Sequence, residues 1–441
     1  MSKRFFIILF FIPYLVSSQD NLSLKEAIQL GLKQNFDILI SQKELKINKI
    51  TNNWTNAGAL PTINLSSRAE QNISDQSDNP TSFIQETLKS EAIIGSANLS
   101  WTLFNGFAIR ANKERLKQLE NLSNGNLTLT IENTIQGIIL SYYNCVLQKE
   151  RVELLQKVVS LLKSRLDYEK TKYEIGIISK IDLLQIENAL LTDSSNLILQ
   201  QLNFTNSVKN FNLTLGINIE KRWYFTDEID TEIKLYNFES LKGSTLSNNS
   251  NIKNQYFNIQ LSKQDIKLSK VAFYPLISLN SGASYNKSNY DIGDSQYEGS
   301  TTGKSINYFA NFSVNFRLFD GGKLYNTLRK VKLQKEINEL KLEKIKEEVI
   351  HQLSLTNDKY NSRISAFNLN KKAFMIADIN YQLANDKKNR GVINSFMLRD
   401  IEIAFINSGI SYQQAAYNLM ESKIALLKIT GGILQEDFGS Q

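Results

Sequence analysis

The sequence is short of the residues that most enzyme chemistry needs. In 441 residues there is one histidine, His351, and one cysteine, Cys145. A histidine-based triad therefore has no second candidate, a Cys/His zinc site is excluded by count, and no glycine loop suited to cradling phosphate occurs. The lone cysteine cannot form an internal disulfide; it falls on an apolar helical stripe, where a thiol packs rather than reacts. His351 sits among Glu347, Glu348 and Gln352 in a polar helical context. The chain reads as non-enzymatic and without a cofactor or metal.

Other absences narrow the class further. The net charge of +7 falls to +5 once Lys3 and Arg4 are discounted, and it is spread over the chain without a basic run, so nucleic acid is not an expected partner. After residue 18 no apolar run reaches the roughly 18 residues of a membrane-spanning helix, so any insertion into a bilayer must use strands. Proline is missing from Phe107 to Tyr173 and from Lys323 to Lys388. At a rise of 1.5 Å per residue, each of these runs makes a helix of roughly 100 Å, against an average of about 11 to 12 residues in globular proteins.

What is present begins with an export signal. Residues 1–18 carry Lys3 and Arg4, the apolar run Phe5 to Val16 and a small-residue end at Ser17 and Ser18, the pattern of a secretory signal peptide cleaved after Ser18. No cysteine stands directly after it, so an N-terminal lipid anchor is not expected. Landmarks then recur at an offset of 214 or 215: Asn35 with Asn249, Pro61 with Pro275, Gly176 with Gly391, Glu187 with Glu402 and Gly216 with Gly431. The chain is a tandem duplication, with a first repeat at 19–216, a linker or small side domain at 217–246, a second repeat at 247–432 and a tail at 433–441.

Each repeat has the same internal order. A helix comes first, from a capping box at Ser23-Leu24-Lys25-Glu26 to about Asn56, or from about Ser247 to Phe273. Two alternating strands follow, about 62–72 and 92–104, then 276–287 and 306–319. Their length of about ten residues or more suits a tilted bilayer crossing, and Trp101, Phe104, Tyr285, Tyr308, Phe316 and Phe319 are candidates for interfacial girdles. The intervening segments Ser74–Ser90 and Ser288–Ser305 are polar loops; in the second, Asp291, Asp294 and Glu298 only faintly resemble a cation site. Leu103-Phe104-Asn105-Gly106 and Leu318-Phe319-Asp320-Gly321 mark the junctions from strand to long helix.

The long helices, 107–173 and 323–388, carry coiled-coil-like apolar spacing, for example Leu342, Ile345, Val349, Leu353, Tyr360, Ile364 and Phe367. They stop at tips, 174–180 and 389–395. There Gly176 and Gly391 supply C-terminal caps, while Ser179 and Asn394 start return helices at 181–215 and 396–430. Four strands cannot close a transmembrane barrel, so the chain must share one with copies of itself; two, three or four copies give 8, 12 or 16 strands, and the sequence physics leaves the choice open.

The order of signal peptide, Leu24-Lys25-Glu26-Ala27-Ile28 helix, Leu60-Pro61 strand, Asn-Gly junction, Tyr173-Glu174-Ile175-Gly176 tip and Thr214-Leu215-Gly216 end, repeated, resembles the TolC family of outer-membrane efflux proteins. The resemblance implies an α+β membrane protein: a homotrimer whose tandem-duplicated protomers each give four strands to a shared 12-stranded outer-membrane β-barrel and helical hairpins to a periplasmic α-barrel tunnel. It implies the exit duct of a tripartite efflux or type I secretion system, passive, embedded in outer-membrane lipid. The energy comes from an inner-membrane pump (RND, ABC or similar) reached through a periplasmic adaptor. The adaptor-contacting tips would be Gly176, Ile177, Ile178 and Ser179 with Gly391, Val392, Ile393 and Asn394. Acidic constriction rings in the family correspond to Met397 and Asp400 here, so only one of two acids is present. Asp182, Arg390 and Arg399 are candidates for inter-helix pairs at the tips, the alternative being ordinary solvated charges worth about 0–1 kcal/mol. The competing function is a periplasmic or surface coiled-coil structural protein whose strands form a soluble sheet.

Overall fold

The structure is a computed structural model that describes residues 20–83, 85–292 and 301–436, with Ile292 described by its backbone alone. The expected signal peptide, the possible cation ligands Asp294 and Glu298, and the last residues of the tail lie outside the described residues. The chain divides into two compact units, one made of residues up to Ser41, Leu127–Ser250 and from Lys346 onward, the other of Gln42–Asn126 and Asn251–Ile345.

In chain order the elements are β1 (Asp20–Leu22), α1 (Leu24–Gln34), α2 (Phe36–Thr51), β2 (Thr62–Asp75), β3 (Thr87–Asn105), α3 (Ala108–Glu174), α4 (Lys180–Leu215), β4 (Trp223–Phe225), α5 (Phe238–Asn248), α6 (Ser250–Lys270), β5 (Leu276–Ile292), β6 (Thr301–Asn315), α7 (Lys323–Asn389) and α8 (Ser395–Ile429). The capping box at Ser23 forms as the sequence predicts: the Ser23 hydroxyl accepts from Glu26 N–H and the Glu26 carboxylate accepts from Ser23 N–H. No described helix is long and apolar enough to cross a membrane.

Several expected boundaries are corrected. The single helix from Ser23 to Asn56 is two helices, α1 and α2, because Asn35 adopts an extended backbone (φ −60°, ψ 127°). Its side chain holds the break: Nδ2 donates to the Thr214 carbonyl at 2.8 Å, and Oδ1 accepts from Ile38 N–H at 3.1 Å. The second copy repeats the device. Asn249 separates α5 from α6 and donates to the Ile429 carbonyl at 3.0 Å, so its first helix starts at Phe238 rather than near Ser247. The glycine that closes each repeat lies against its own break. A Cβ on Gly216 would meet the Gln34 carbonyl oxygen at 2.5 Å, and one on Gly431 would meet that of Asn248 at 2.9 Å. Both glycines also have positive φ. No residue type with a Cβ meets both conditions without strain.

Residues 217–246 are not a side domain. β4 pairs in parallel with β1, and Trp223 Nε1 donates to Asn212 Oδ1 at 2.6 Å. The strap that follows is tied down at three helices: the Tyr142 hydroxyl of α3 lies 2.7 Å from Asp227 Oδ2, Lys423 of α8 lies 2.6 Å from Asp230 Oδ2, and the Tyr360 hydroxyl of α7 donates to the Lys234 carbonyl at 3.0 Å.

Within the first unit the long helices pack by a seven-residue repeat. On α7 the inward column is Leu353, Tyr360, Phe367, Phe374 and Tyr381; on α8 it is Leu398, Phe405, Tyr412, Leu419 and Leu426. Rings interleave across the two: Phe374 stacks on Tyr412 at 5.5 Å and Tyr381 on Phe405 at 4.9 Å. A strict repeat of seven underwinds each helix relative to 3.6 residues per turn, the geometry of left-handed coiled coils.

One carboxyl beneath the strap is perturbed. Burial, then the neighbouring Glu153 and Glu228 carboxylates, push Glu150 on α3 from 4.5 up to about 7. A carboxyl raised on folding contributes its full stabilisation below 4.5 and loses it as pH climbs through about 7. Thermal unfolding of purified protein should therefore fall in temperature from pH 4.5 to above 7 more steeply in wild type than in Glu150→Gln, whose neutral amide removes the titration. Parallel pH profiles would contradict this.

Candidate functional site

The sheet is the first candidate surface. Four antiparallel strands run in the order β2-β3-β5-β6, longer than expected at the loop ends, whereas β6 stops at Asn315 instead of running to 319. The register sorts most side chains by face, with Ser67, Gln71 and Ser281 among the polar exceptions on one and Ile94 and Phe309 among the apolar exceptions on the other. Ile63 opposes Leu99, Leu65 opposes Ala97, Leu279 pairs across to Phe312 and Ala283 to Tyr308, all on one face. The other face carries Asn64, Ser66, Asn98, Ser100, Asn280 and Asn311, with Ser66 and Ser96 hydroxyls 2.7 Å apart and Ser100 donating to Asn280 at 3.1 Å. The apolar face is uncovered, with Leu65 83 % and Tyr308 80 % exposed. A water-facing sheet buries such a face; this one presents it. Among the described residues neither β2 nor β6 has a partner on its outer edge.

At the first junction β3 runs to Asn105 with an irregularity between Thr102 and Phe104; the Asn105 amide oxygen then accepts from Ile109 N–H at 3.3 Å and starts α3. Gly106 and Phe107 both have positive φ, and Phe104 and Tyr274 each meet the Phe107 ring edge-on, at 5.3 and 6.1 Å. The second junction reaches the same end differently. Asp320 accepts from Gly322 and Leu324 N–H at 3.0 and 2.9 Å, Gly321 has positive φ, and Phe319, outside the strand, is 86 % exposed. Both junctions are thus Asx-capped helix starts, but only the first is continuous with its strand.

The hairpin tips are built alike. Gly176 N–H donates to Tyr173 O and Ile177 N–H to Lys172 O; Gly391 N–H donates to Lys388 O and Val392 N–H to Lys387 O. This paired bonding with glycine in the left-handed region is the Schellman motif. Ser179 and Asn394 then cap α4 and α8 through Asp182 N–H and Met397 N–H. Ile177 and Val392 project into solvent, while Ile178 folds back onto Leu166, Leu183 and Ile186 and Ile393 is half-buried. Within one protomer the expected gating residues have different surroundings. Asp182 accepts from the Ser179 hydroxyl at 2.7 Å within its own cap; Arg390, Met397 and Asp400 are exposed, and Asp400 has no side-chain partner among the described residues.

Arg399 does make an inter-helix pair, with partners other than those expected. Its guanidinium forks onto Asp193 of α4 at 2.6 and 2.9 Å and reaches Glu402 Oε2 at 3.0 Å. Glu402 is fully buried (0 %) and also faces Arg165 of α3 at 3.5 Å and the Tyr381 hydroxyl of α7 at 3.5 Å. Burial, followed by the Glu402 carboxylate, pushes the Tyr381 phenol above its usual range, so it stays a neutral donor. One polar cluster therefore joins all four long helices. The sequence registers Glu402 only as the counterpart of Glu187, which is exposed here. A usable signal exists: Glu402 and Lys423 share a heptad column on α8 with Gly409 and Ala416, and a charge in an apolar column must find a partner.

Comparison with known proteins decides what this geometry belongs to. The model of the outer membrane efflux protein family matches residues 27–216 and 241–432. The chain belongs to this family. It is 21 % identical over 426 residues, 93 % of this chain and 86 % of the other, to toxin and drug export protein A of Aggregatibacter actinomycetemcomitans. The Campylobacter jejuni CmeC outer membrane channel superimposes with a TM-score of 0.73 at 17 % identity, covering 94 % of this chain and 87 % of that one. The open-state Neisseria gonorrhoeae MtrE outer membrane channel gives 0.71 at 15 % identity, covering 95 % and 91 %. The family and these structures are channels rather than enzymes, and the outer membrane is the chain's location.

The Asp193–Arg399–Glu402 cluster yields a stability test. Removing one partner of a buried pair costs about 3–5 kcal/mol, whereas replacing both by apolar groups is often close to neutral. Asp193→Leu should destabilise the purified protein by about that amount, and Asp193→Leu/Arg399→Met should recover most of it in denaturant unfolding. A double variant no better than the single would refute the coupling.

Proposed function

We propose that this outer-membrane efflux protein is a passive exit duct in which three copies close a 12-stranded barrel. The observation that carries the reading is the two-faced sheet with unpaired outer edges. Open edges and unsatisfied backbone groups are not tolerated in hydrocarbon, and four strands are half of the smallest transmembrane barrel, about eight. Lipid would meet the Ile, Leu and Tyr face, and the Asn and Ser face would line water.

Two further features support self-association. Leu184, Leu191 and Ile198 on α4, and Leu369, Ile376 and Leu383 on α7, form solvent-exposed apolar stripes at seven-residue spacing. Such stripes are coiled-coil seams without a partner inside the protomer. In this reading they pack between neighbouring copies as the wall of a periplasmic tunnel. The Schellman tips, with Ile177 and Val392 outward, would meet a periplasmic adaptor, through which an inner-membrane pump delivers cargo. Asp400, with Met397, would line the narrowest point.

Reconstitution tests both layers. Purified protein in planar bilayers should conduct and should run as a detergent-stable trimer. Asp400→Ala should alter conductance or block by multivalent cations without changing assembly. A water-soluble monomer would overturn the duct, and unchanged currents in the variant would remove Asp400 from the constriction.

A further inference from the structure

A groove of about 350 Å³ opens among α3, α7 and α8, away from the hairpin tips. Ala366, Ile410 and Ala415 form its apolar wall, and two guanidiniums, Arg151 and Arg363, reach into it. The two differ in one respect. Arg363 is neutralised: it donates to Glu421 at 2.5 Å and to the Asn418 carbonyl at 2.6 Å. Arg151 is not. One of its nitrogens donates to the neutral Gln414 Oε1 at 2.8 Å, its buried Nε has no partner, and no carboxylate among the described residues pairs with it.

A half-buried guanidinium without a counter-charge is costly, and burial depresses the basicity of Arg151 with nothing opposing it. An ordinary surface arginine lays its methylenes on the protein and keeps its nitrogens in water, whereas Arg151 holds its Nε out of solvent. Arginine binds carboxylates and phosphates through charge-assisted hydrogen bonds, and a pocket of a few hundred Å³ with an apolar wall and one fixed charge suits a small organic ligand.

We propose that this groove binds a small organic monoanion, its carboxylate or phosphate oxygens held by Arg151 and its apolar body lying on Ala366, Ile410 and Ala415. Such a site goes beyond the duct and does not depend on it, because the groove lies within one protomer and its residues take no part in the proposed constriction.

The test uses the full chain in lipid nanodiscs and hexanoate as the probe, titrated by calorimetry, with hexan-1-ol and hexyltrimethylammonium as the neutral and cationic controls. Hexanoate should bind saturably and the two controls should not. Arg151→Met, similar in length and uncharged, should weaken hexanoate binding at least tenfold. Ala366→Trp, which fills the groove from its exposed rim and leaves the guanidinium in place, should do the same and decides the matter if the first variant fails to fold. Absence of saturable hexanoate binding in wild type, or equal binding in both variants, overturns the proposal. A wild type that binds no hexanoate, together with an Arg151→Met protein whose oligomer dissociates, would assign the guanidinium to a carboxylate of a neighbouring copy instead. Conductance measured on the same samples keeps the two readings apart: a non-conducting protein that still binds hexanoate retains this site and loses the duct.

Discussion

A backbone N–H or C=O that faces hydrocarbon must be paired, and the proposed assembly follows from that requirement. The sheet leaves its apolar side uncovered, and among the described residues its two outer strands have no partner on their outer edges, which the proposed three-copy barrel would supply. The polar side carries its own cross-strand hydrogen bonds between Ser66 and Ser96 and between Ser100 and Asn280, which satisfy side chains without calling on charge. Gly106 and Gly321, both with positive φ, stand just before helices whose hydrogen bonds are internal, the first directly after its strand and the second after a gap.

How much of this is legible in the sequence depends on how local its cause is. Alternation from Ile93 to Thr102 reports which face each side chain takes, a property of the strand alone, whereas the irregularity before Phe104 is not legible and the strands after Pro61 and Pro275 alternate more weakly. The tips are equally plain, because Gly176 and Gly391 bond to residues three positions earlier and the residues after them, Ile177 and Val392, to residues five positions earlier. The breaks at Asn35 and Asn249 are not readable, for their acceptors, the carbonyls of Thr214 and Ile429, lie about 180 residues away in sequence. The 217–246 segment resembles a side domain for the same reason: its partners Tyr142, Tyr360 and Lys423 come from three different helices. At the tips the sequence points to Asp182, Arg390, Arg399 and Asp400; of these only Arg399 enters the cluster, which is centred on Glu402, whose significance lies in its heptad column rather than its distance from Gly391.

The duplication has kept its frame and released its details. Asn35 and Asn249, Gly216 and Gly431, and the two Schellman tips do the same work in both copies. Glu187 and Glu402 do not: one is exposed and the other is the hub of a buried cluster. The junctions diverge as well, Asn105 continuing its strand and Asp320 following a gap after Asn315. Positions that set backbone geometry are constrained in each copy by the same sterics, while positions that set charge answer only to their own neighbours.

The seven-residue columns on α7 and α8 carry an implication for how such a protein can change in length. An insertion that is not a whole number of heptads rotates the side chains after it out of their column and sets aromatic rings against polar ones. Seven residues added to both arms of a hairpin keep the register and lengthen it by about 10 Å. Reach is therefore quantised: descendants of this chain can grow or shrink to suit a wider or narrower compartment, but only in whole heptads and only in both arms together.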